Sequence, residues 1–326
     1  YGGNMKKIFS IFLLLILCGC NTNKTLETSN VYATSFIVIE QSSNKILEGY
    51  NYNTQRSVAS ISKIMSAIIV IENMDVNEYL TVPEDIKKVD GSSIYLKVNE
   101  KVKVIDLLYG LLLRSGNDAA ITLAKGMNND IQSFVDLMNE KASFLSMNNT
   151  YFSNPHGLDV NDNGNISTAY DMAILYSYCL KNPLFSKIVA TKEYQKYTNK
   201  NKLLHNYEYC TGGKTGYTKK AKRTLLSSAS KDDMHLIIVT LNCGDDFNSH
   251  KLTYEKYFNN YNAIKVLKKG ENIFDKDIIN IKQDYYFISD KTNLSLMYNV
   301  NMKNKEISIK LYDENKKVID EMLVKY

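Results

Sequence analysis

The chain has 326 residues, of which 44% are hydrophobic, and it carries a formal net charge of +5. This length and hydrophobic content suffice for one large globular core, or for a large domain with a small one, and they exclude a chain that is disordered throughout. The positive charge is spread along the sequence in short runs such as Lys219–Arg223. That distribution is typical of a solvated surface and gives no indication of nucleic-acid binding.

The N-terminal segment has the pattern of an export signal. A basic region starting at Met5 precedes Ile8–Leu17, an apolar run too short to span a bilayer as a stable helix. The run ends in Leu-Cys-Gly-Cys, which resembles the lipobox of bacterial lipoproteins, where the cysteine after the small residue is lipidated. We therefore expect residues 1–20 to be a signal peptide and Cys20 to anchor an exported protein to the outer face of the cytoplasmic membrane. A conventional signal peptide with two cysteines is the alternative.

The segment after Cys20 is rich in Asn, Thr and Ser, and we interpret residues 21–32 as a flexible tether. Three cysteines remain beyond it, at positions 179, 210 and 243. Three thiols cannot form a disulfide framework, and they lack the spacing and the neighbouring histidines of metal ligands. We predict buried free thiols, no metal site and no cofactor.

A hairpin and a helix are predicted first along the folded part. Ser35–Glu40 and Lys45–Tyr50 are β-rich runs that flank a turn. From Ile61 onward, apolar residues recur at the spacing of an amphipathic helix, with Ser60 in its first turn. Further helices are predicted at Val104–Leu113, Ala119–Lys125, Ile131–Leu145 and Thr168–Leu180, and further strands at Thr224–Ala229 and His235–Leu241.

The order of these elements predicts an α+β fold. A polar turn at Lys231–Asp233 separates the last two strands, which indicates an antiparallel sheet with helices inserted between its strands. Beyond about Val266 the pattern changes to alternating β-type runs, which indicates a small separate β domain. Its predicted strands are Asp277–Ser289, Leu294–Val300, Glu306–Tyr312 and Val318–Tyr326.

Three short motifs carry the chemical signal: Ser-x-x-Lys at Ser60–Lys63, Ser-x-Asn at Ser115–Asn117, and Lys-Thr-Gly at Lys214–Gly216. Ser-x-x-Lys also occurs at Ser42–Lys45 and Ser228–Lys231, where we predict turns, whereas Lys-Thr-Gly occurs once. Taken alone, each motif is equally consistent with a residue that only caps a helix or lies in a solvated turn. Together, in this order, they indicate an acyl-transfer site built on serine.

Ser60 and Lys63 lie three residues apart, so a helix places them on one face. The amine can deprotonate the hydroxyl only if it is neutral, which requires burial and a nearby positive charge such as that of Lys214. Ser115 can relay a proton to a leaving amine, and Asn117 can hydrogen-bond a substrate amide.

The Lys-Thr-Gly segment reads as an edge strand on the opposite wall of the site. Its glycines let a substrate backbone come close, and Lys214 and Thr215 offer a charge and a hydroxyl to a substrate carboxylate. The backbone N–H groups of Ser60 and Tyr217 are candidates for an oxyanion hole.

With these motifs in place, the sequence resembles the serine D-alanyl-D-alanine carboxypeptidases, the low-molecular-mass penicillin-binding proteins, over residues 33–260. Several further segments share the pattern of that family. The segments that carry the resemblance are Ala59–Met65, Gly91–Ser93, Arg114–Ala120, Leu137–Ala142, Asn154–Asp159 and Gly213–Thr218.

The resemblance implies a β-lactamase/transpeptidase-like fold, with an antiparallel sheet flanked by helices in a catalytic domain at residues 33–262 and a small all-β domain at residues 263–326. It also assigns roles to the motif residues. By it, Ser60 is the acylated nucleophile, Lys63 its general base, Ser115 and Asn117 the proton relay and substrate clamp, and Lys214, Thr215 and Gly216 the carboxylate-binding strand.

The implied substrate is a peptidoglycan stem peptide ending in D-Ala-D-Ala, and β-lactam antibiotics are expected to acylate Ser60. His156 lies in a Pro-His-Gly segment that is structural in the family, so a Ser-His-Asp mechanism is not expected.

Many family members end in an amphipathic membrane helix, whereas Leu323–Tyr326 is strand-like. Cys20 is expected to replace that anchor.

Three other functions compete with this one. A class A β-lactamase has aspartate where this chain has Gly116, and it needs a Glu-x-x-Leu-Asn segment that the sequence lacks. A D,D-endopeptidase acting on peptidoglycan cross-links would use the same residues. A lipoprotein that binds cell-wall peptides without catalysis is disfavoured because every predicted catalytic position is filled.

Overall fold

The computed structural model describes residues 31–159, 164–270 and 281–326, together with the backbone of Ile11–Leu13. The predicted lipidation site Cys20, the predicted signal peptide apart from Ile11–Leu13, and most of the predicted tether lie outside the described residues. Among the helices in those ranges, none is both long and apolar enough to cross a membrane.

Up to residue 260 the described chain contains both strands and helices. The strands are β1 (Ile11–Leu13), β2 (Ser35–Glu40), β3 (Ile46–Tyr50), β4 (Arg56–Ser57), β5 (Tyr79–Thr81), β6 (Lys101–Lys103), β7 (Ile166–Ser167), β8 (Glu193–Tyr194), β9 (Tyr197–Thr198), β10 (Cys210–Thr218), β11 (Lys222–Lys231), β12 (Met234–Leu241), β13 (Asn262–Leu267), β14 (Tyr285–Ser289), β15 (Ser295–Asn301), β16 (Glu306–Tyr312) and β17 (Val318–Lys325). The α-helices are α1 (Lys63–Asn73), α2 (Val104–Leu113), α3 (Asn117–Asn128), α4 (Ile131–Phe144), α5 (Ala169–Leu180), α6 (Pro183–Ala190), α7 (Leu203–Asn206) and α8 (Asp246–Asn260), and 3₁₀ helices span Ala59–Ser62 and Glu84–Lys88.

The chain divides into two compact units, and the larger comprises Ser29–Lys231 and His235–Tyr254. Its main sheet has the strand order β10-β11-β12-β2-β3, which leaves β10 at one edge. Helix α1 is buried from Lys63 through Val70, so it runs through the hydrophobic core instead of covering it. The Ser-x-x-Lys motif at Ser60–Lys63 therefore leads directly into the core, while the Lys-Thr-Gly motif lies on an edge strand of the sheet.

Three helices of this unit begin at side-chain caps that the sequence supplies. Asp130 accepts a hydrogen bond from the Ser133 amide at the start of α4, and Thr168 accepts one from the Asp171 amide at the start of α5. Asn182 caps α6, which has Pro183 in its first turn. Each cap satisfies backbone N–H groups that the helix leaves unpaired, which stabilises a helix start by about 1 kcal/mol.

The smaller unit contains Asp232–Met234 and Glu255–Tyr326. From Asn262 onward its described residues form strands, with β13 paired to β14 and a second sheet of order β1-β15-β16-β17. Its own hydrophobic cluster includes Phe287, Ile307, Ile309 and Leu311, each fully buried. The strand-only character predicted for this region is confirmed by its described residues, and the predicted run at 277–280 lies outside them.

The α+β fold class predicted from the sequence is confirmed, and so are most element positions. The predicted hairpin corresponds to β2 and β3, and α2 has the predicted bounds. The prediction that Ser60 lies in the first turn of the amphipathic helix needs correction. Ser60 lies in a 3₁₀ helix, and α1 begins only at Lys63. In a 3₁₀ turn, side chains three residues apart eclipse one another, which brings Ser60 and Lys63 closer than an α-helix would.

A second correction concerns Ser228–Lys231, which we predicted to be a turn. The segment belongs to β11, and the turn begins only at Asp232. The polar side chains of this segment suggested a solvated turn. Ser228 is instead buried and accepts a hydrogen bond from the Thr211 hydroxyl at 2.8 Å.

Helix α8 was not predicted because the face that it buries is polar. His250 is completely buried and bonds hydroxyls at both ring nitrogens: Ser227 at 2.7 Å from Nδ1 and Thr240 at 3.0 Å from Nε2. Ser227 lies 2.8 Å from the Tyr254 hydroxyl as well. This network, rather than an apolar stripe, joins α8 to the sheet.

Burial lowers the pKa of His250 to about 3. Because an unfolded histidine has a pKa of about 6.5, the unfolded chain takes up the proton first, and the stability that His250 provides above about pH 6.5 is lost as the pH falls toward about 3. We expect His250→Gln to reduce the loss of unfolding free energy between about pH 6.5 and pH 5 by about 2 kcal/mol relative to the wild type.

Urea unfolding at the two pH values measures this difference. His205→Gln, at an exposed position, is the matched control and should keep the wild-type pH dependence. An equal loss of stability in the wild type and in His250→Gln would contradict the prediction.

Candidate active site

The Ser60 side chain is half-buried and lies beside the amine of Lys63, with 2.9 Å between Oγ and Nζ. The turn that carries Ser60 begins at Ala59, whose φ of 49° is in the left-handed region. Such a conformation costs free energy for a residue with a side chain and is common at functional sites. It sets the entry of the chain into α1 and thereby the direction of the Ser60 hydroxyl.

The Lys63 side chain is fully buried, and its Nζ has three oxygen neighbours. Besides Ser60 Oγ, these are Asn117 Oδ1 at 2.7 Å and the backbone carbonyl oxygen of His156. A neutral amine has two N–H donors and one lone pair. The two carbonyl oxygens can accept only, so the lone pair is left for the hydroxyl of Ser60, which can donate.

Burial lowers the pKa of Lys63 well below its usual value, and the positive charges of Lys214 and Lys200 lower it further. The carboxylate of Asp118 acts in the opposite direction but more weakly. The predicted neutral amine therefore has a physical basis, since desolvation and two neighbouring cations all disfavour its protonated form.

The Ser115–Asn117 segment forms the turn between α2 and α3. Ser115 has a φ of 65°, and α3 begins at Asn117. The Asn117 amide nitrogen Nδ2 donates to the Asp90 carbonyl at 2.6 Å, while its oxygen faces Lys63. The side chain expected to clamp a substrate thus also positions the amine of Lys63.

Asp118 holds the neighbouring loop in place. Its carboxylate accepts the Ser93 hydroxyl at 2.5 Å and the backbone N–H groups of Ile94 and Leu96 at 3.0 and 3.1 Å. This loop brings Ser92 into the cleft. Our sequence analysis did not identify Asp118, although an acidic residue in the first turn of a helix, after the Ser-x-Asn motif, is the signal that could have found it.

Lys214 on the edge strand β10 is 1% exposed, and its Nζ donates to the Thr215 carbonyl at 2.7 Å. Burial, with a smaller contribution from Lys200, lowers the pKa of Lys214 to about 7. The prediction that β10 is an edge strand is confirmed.

Gly216 lets β10 approach Ser60 closely. A Cβ at this position would lie 3.0 Å from the Ser60 amide nitrogen and 2.4 Å from the Thr224 hydroxyl oxygen. Only a residue without a side chain allows so close an approach. The strand backbone and the Ser60 N–H therefore border the same small space, as an oxyanion hole requires.

Asp159 links the two walls of the site. One carboxylate oxygen accepts the Ser57 hydroxyl at 2.8 Å and the other accepts the Thr218 hydroxyl at 2.5 Å. Ser57 precedes the nucleophile turn and Thr218 ends the strand of the Lys-Thr-Gly motif, so one carboxylate bridges both.

A cleft of about 630 Å³ opens above these groups. The predicted residues that line it are Ser60, Ser115, Asn117, Thr215, Gly216 and Tyr217. Lys63 and Lys214 are buried behind this surface. Ser92, from the Gly91–Ser93 segment of the family resemblance, also lines the cleft, and the lining residues that the sequence analysis did not identify include Lys200, Lys202, Arg223, Asp246 and Phe247.

Lys200 is a cation of the cleft wall that belongs to none of the three sequence motifs. Its Nζ donates to the Ser92 hydroxyl at 2.9 Å, and burial lowers its pKa, with a further contribution from Arg114. It lies on the wall of the cleft that carries Ser92, and its charge acts on both Lys63 and Lys214.

His156 contributes its backbone carbonyl to the site, while its ring Nδ1 accepts the Leu158 amide at 3.2 Å. Burial lowers the pKa of His156 to about 3, so its ring is neutral near pH 7. The three cysteines of the described chain are free thiols, of which Cys179 and Cys243 are buried.

Comparison with known proteins shows which family this chain matches. The model of the D-alanyl-D-alanine carboxypeptidase family, Peptidase_S11, matches residues 22–245. D-alanyl-D-alanine carboxypeptidase DacF of Bacillus subtilis is 29% identical over 301 residues, which cover 85% of this chain and 76% of that protein. DacC of Escherichia coli, another D-alanyl-D-alanine carboxypeptidase, is 34% identical over 240 residues, covering 68% of this chain and 60% of that protein.

Among solved structures, penicillin-binding protein 5 of Haemophilus influenzae superposes with a TM-score of 0.79. The match covers 92% of this chain and 99% of that one at 24% identity, a level that speaks for the fold alone. With the family match over more than half of the sequence, the chain is a serine peptidase that belongs to the D-alanyl-D-alanine carboxypeptidase family and has the penicillin-binding-protein fold.

Proposed function

We propose that this protein removes the terminal D-alanine from peptidoglycan stem peptides through an acyl-enzyme on Ser60. The observation that carries the proposal is the buried Lys63 amine, 2.9 Å from the Ser60 hydroxyl and beside two carbonyl acceptors that leave its lone pair for that hydroxyl. A weak nucleophile activated by an adjacent base is the arrangement that acyl transfer needs.

In the first step, Lys63 accepts the Ser60 proton as Oγ attacks the carbonyl carbon of the penultimate D-alanine. Negative charge develops on the carbonyl oxygen, where the N–H groups of Ser60 and Tyr217 stabilise it. The close approach of Gly216 to the Ser60 amide supports this assignment.

In the second step, the tetrahedral intermediate collapses and the C–N bond to the terminal D-alanine breaks. The leaving amine takes a proton through the Ser115 hydroxyl, which lines the same cleft as Ser60. Lys214 and Thr215 hold the substrate carboxylate from the edge strand. Water then attacks the ester with proton transfers in the reverse order, which releases the shortened peptide and restores the Ser60 hydroxyl.

The same nucleophile serves β-lactams. Attack of Ser60 Oγ on the lactam carbonyl opens the ring, and the product stays attached to the enzyme as an ester. The fold shared with penicillin-binding protein 5 supports this proposal.

Export and lipid anchoring at Cys20 are part of the proposal, supported by the sequence pattern of residues 5–20. We further propose a catalytic domain at residues 33–262 and a small β domain at residues 263–326. A family whose members act on the cell wall is consistent with a place in the envelope.

The purified protein should release free D-alanine from a linear peptide ending in Lys-D-Ala-D-Ala. Ser60→Ala should lower the rate by about 1,000-fold or more, because it removes the nucleophile. Quantifying D-alanine over time tests both statements. A folded wild-type protein that releases none, or a Ser60→Ala variant that releases it at the wild-type rate, would contradict the proposal.

Lys63→Arg should abolish acylation by benzylpenicillin, with a loss of about 1,000-fold or more in rate. A guanidinium stays protonated and cannot accept the Ser60 proton, although it keeps most of the bulk of the side chain. Intact-mass spectrometry detects the penicilloyl adduct directly. Lys219→Arg, an exposed lysine on the hairpin after the Lys-Thr-Gly motif, is the matched control, and a wild-type adduct yield in Lys63→Arg would exclude Lys63 as the base.

A further inference from the structure

Three lysines occupy the turn that joins β10 to β11, directly beyond the Lys-Thr-Gly motif. Lys219, Lys220 and Lys222 are all exposed, and we call these three side chains the basic tip. Ala221 between them is buried. The proposed mechanism uses none of the three lysines, so their clustering at this place is still to be explained.

Hydrogen bonds fix the conformation of this turn. The Ala221 N–H donates to the Thr218 hydroxyl oxygen at 3.0 Å, and that hydroxyl donates to Asp159. Lys222 has a φ of 58°, in the left-handed region that few residues with a side chain adopt. The turn is therefore held against the catalytic unit through its inner residue, while its three lysines lie on the surface.

The folded chain begins at the same end of the sheet. The Thr34 N–H donates to the carbonyl of Leu241, the last residue of β12, at 3.0 Å. Two residues on, the Cys243 N–H donates to the carbonyl of Arg223, the neighbour of Lys222, at 3.1 Å. Because β12 lies between β11 and β2 and adjacent strands are about 4.8 Å apart, the chain enters roughly 10 Å from the start of β11.

Tyr50 holds this entry point in place. Its hydroxyl oxygen lies 2.6 Å from the Val31 carbonyl oxygen and accepts the Ala33 N–H at 3.0 Å. Only residues 21–30 separate Val31 from the proposed lipidation site Cys20. Even fully extended, this stretch spans at most about 40 Å. An anchor at Cys20 therefore keeps the end of the sheet that carries the basic tip close to the bilayer.

The charge at this end of the sheet matches an anionic membrane surface. Arg223 is paired with the carboxylate of Asp246, and the exposed Asp245 offsets one further charge, so the basic tip leaves an excess of positive charge. Anionic headgroups present their charges in a plane that several lysines of one turn can meet together. Tyr32, at the chain entry, is 84% exposed, and tyrosine is enriched where membranes meet water.

We propose that the basic tip lies on the anionic surface of the membrane to which the chain is anchored, so that the cleft opens beside the bilayer. The inference rests on the anchoring that is part of the proposed function. Tyr217 and Arg223, on either side of the turn, line the cleft. Peptides held near the membrane surface would thus be the first to reach Ser60.

The chain has no tryptophan, so Lys219→Trp places a single fluorescent probe at the tip. The full chain is reconstituted in vesicles of phosphatidylcholine that contain brominated lipid, with or without phosphatidylglycerol. We expect quenching of the probe in the anionic vesicles, and its loss in the neutral vesicles or in about 1 M salt, where the Debye length falls to about 3 Å.

Lys181→Trp is the matched control probe. Lys181 is exposed and ends α5, whose Ser177 donates to the carbonyl of Gln41 beyond the far end of β2. This probe therefore lies at the end of β2 opposite to the chain entry. It should stay unquenched in every vesicle, because an anchored chain that touches the bilayer through the tip keeps this region away from it.

A second set of variants removes charge on the Lys219→Trp background. Lys220→Gln with Lys222→Asn should lower the equilibrium constant for contact by about 30-fold, or about fivefold for each lysine. Asparagine at 222 tolerates the left-handed conformation. Lys187→Gln with Lys192→Gln removes two exposed lysines elsewhere on the same unit and should leave the quenching unchanged.

Equal quenching of the two probes would overturn the proposal, and so would quenching that persists without Lys220 and Lys222. Absence of quenching in anionic vesicles, with a change in probe emission on adding soluble polyphosphate, would overturn it in favour of a soluble polyanion. A chain that associates with no vesicle would overturn the proposed anchoring as well.

Release of D-alanine from a soluble peptide is measured on the same samples. It shows that each variant is folded, and Lys220→Trp replaces Lys219→Trp if the latter is not. It also keeps the two proposals apart, because a wild type that releases no D-alanine contradicts the carboxypeptidase activity and leaves the contact of the basic tip to be decided by the probes.

Discussion

The chemistry proposed for this site depends on one amine, that of Lys63, being uncharged inside the protein. Lys63 is completely buried at the start of the core helix α1, and an ammonium ion there would lose its hydration without gaining a carboxylate partner in contact. Its Nζ lies within hydrogen-bond distance of two carbonyl oxygens and of the Ser60 hydroxyl oxygen. Burial thus favours the neutral amine that the proposed mechanism requires of Lys63, and the hydrophobic core provides this burial.

The rest of the fold brings other groups to that amine. The turn between α2 and α3 contributes Asn117, and the edge strand β10 contributes the charge of Lys214. Gly216 allows β10 to approach the Ser60 amide, and Asp159 ties the nucleophile turn to the end of the same strand. A shift of β10 would therefore change both the pKa of Lys63 and the space proposed for the oxyanion. Ser60 and Arg223 line the cleft, and the Lys63 amine is buried within the same compact unit.

The sequence predicted the fold class, most helices and the motif residues, because these depend on local periodicity and on short patterns at fixed spacing. The structure brings those residues together, and their individual roles stay predictions. The sequence could not indicate the contacts of Arg223 and Asp159, since their partners, such as Asp246 and Ser57, are distant from them in the sequence. Helix α8 was missed for a related reason: its buried face uses His250 and Tyr254, whose hydrogen bonds are satisfied only by hydroxyls of the sheet.

The most direct test of a neutral Lys63 is the rate constant for acylation of Ser60 by benzylpenicillin, measured by stopped flow from about pH 5 to about pH 10. If burial and the neighbouring cations keep the amine deprotonated, the rate should level off well below the ordinary lysine pKa of about 10.4. A rate that continues to rise about tenfold with each pH unit toward pH 10 would show that Lys63 is protonated in the resting enzyme and would contradict its assignment as a neutral base.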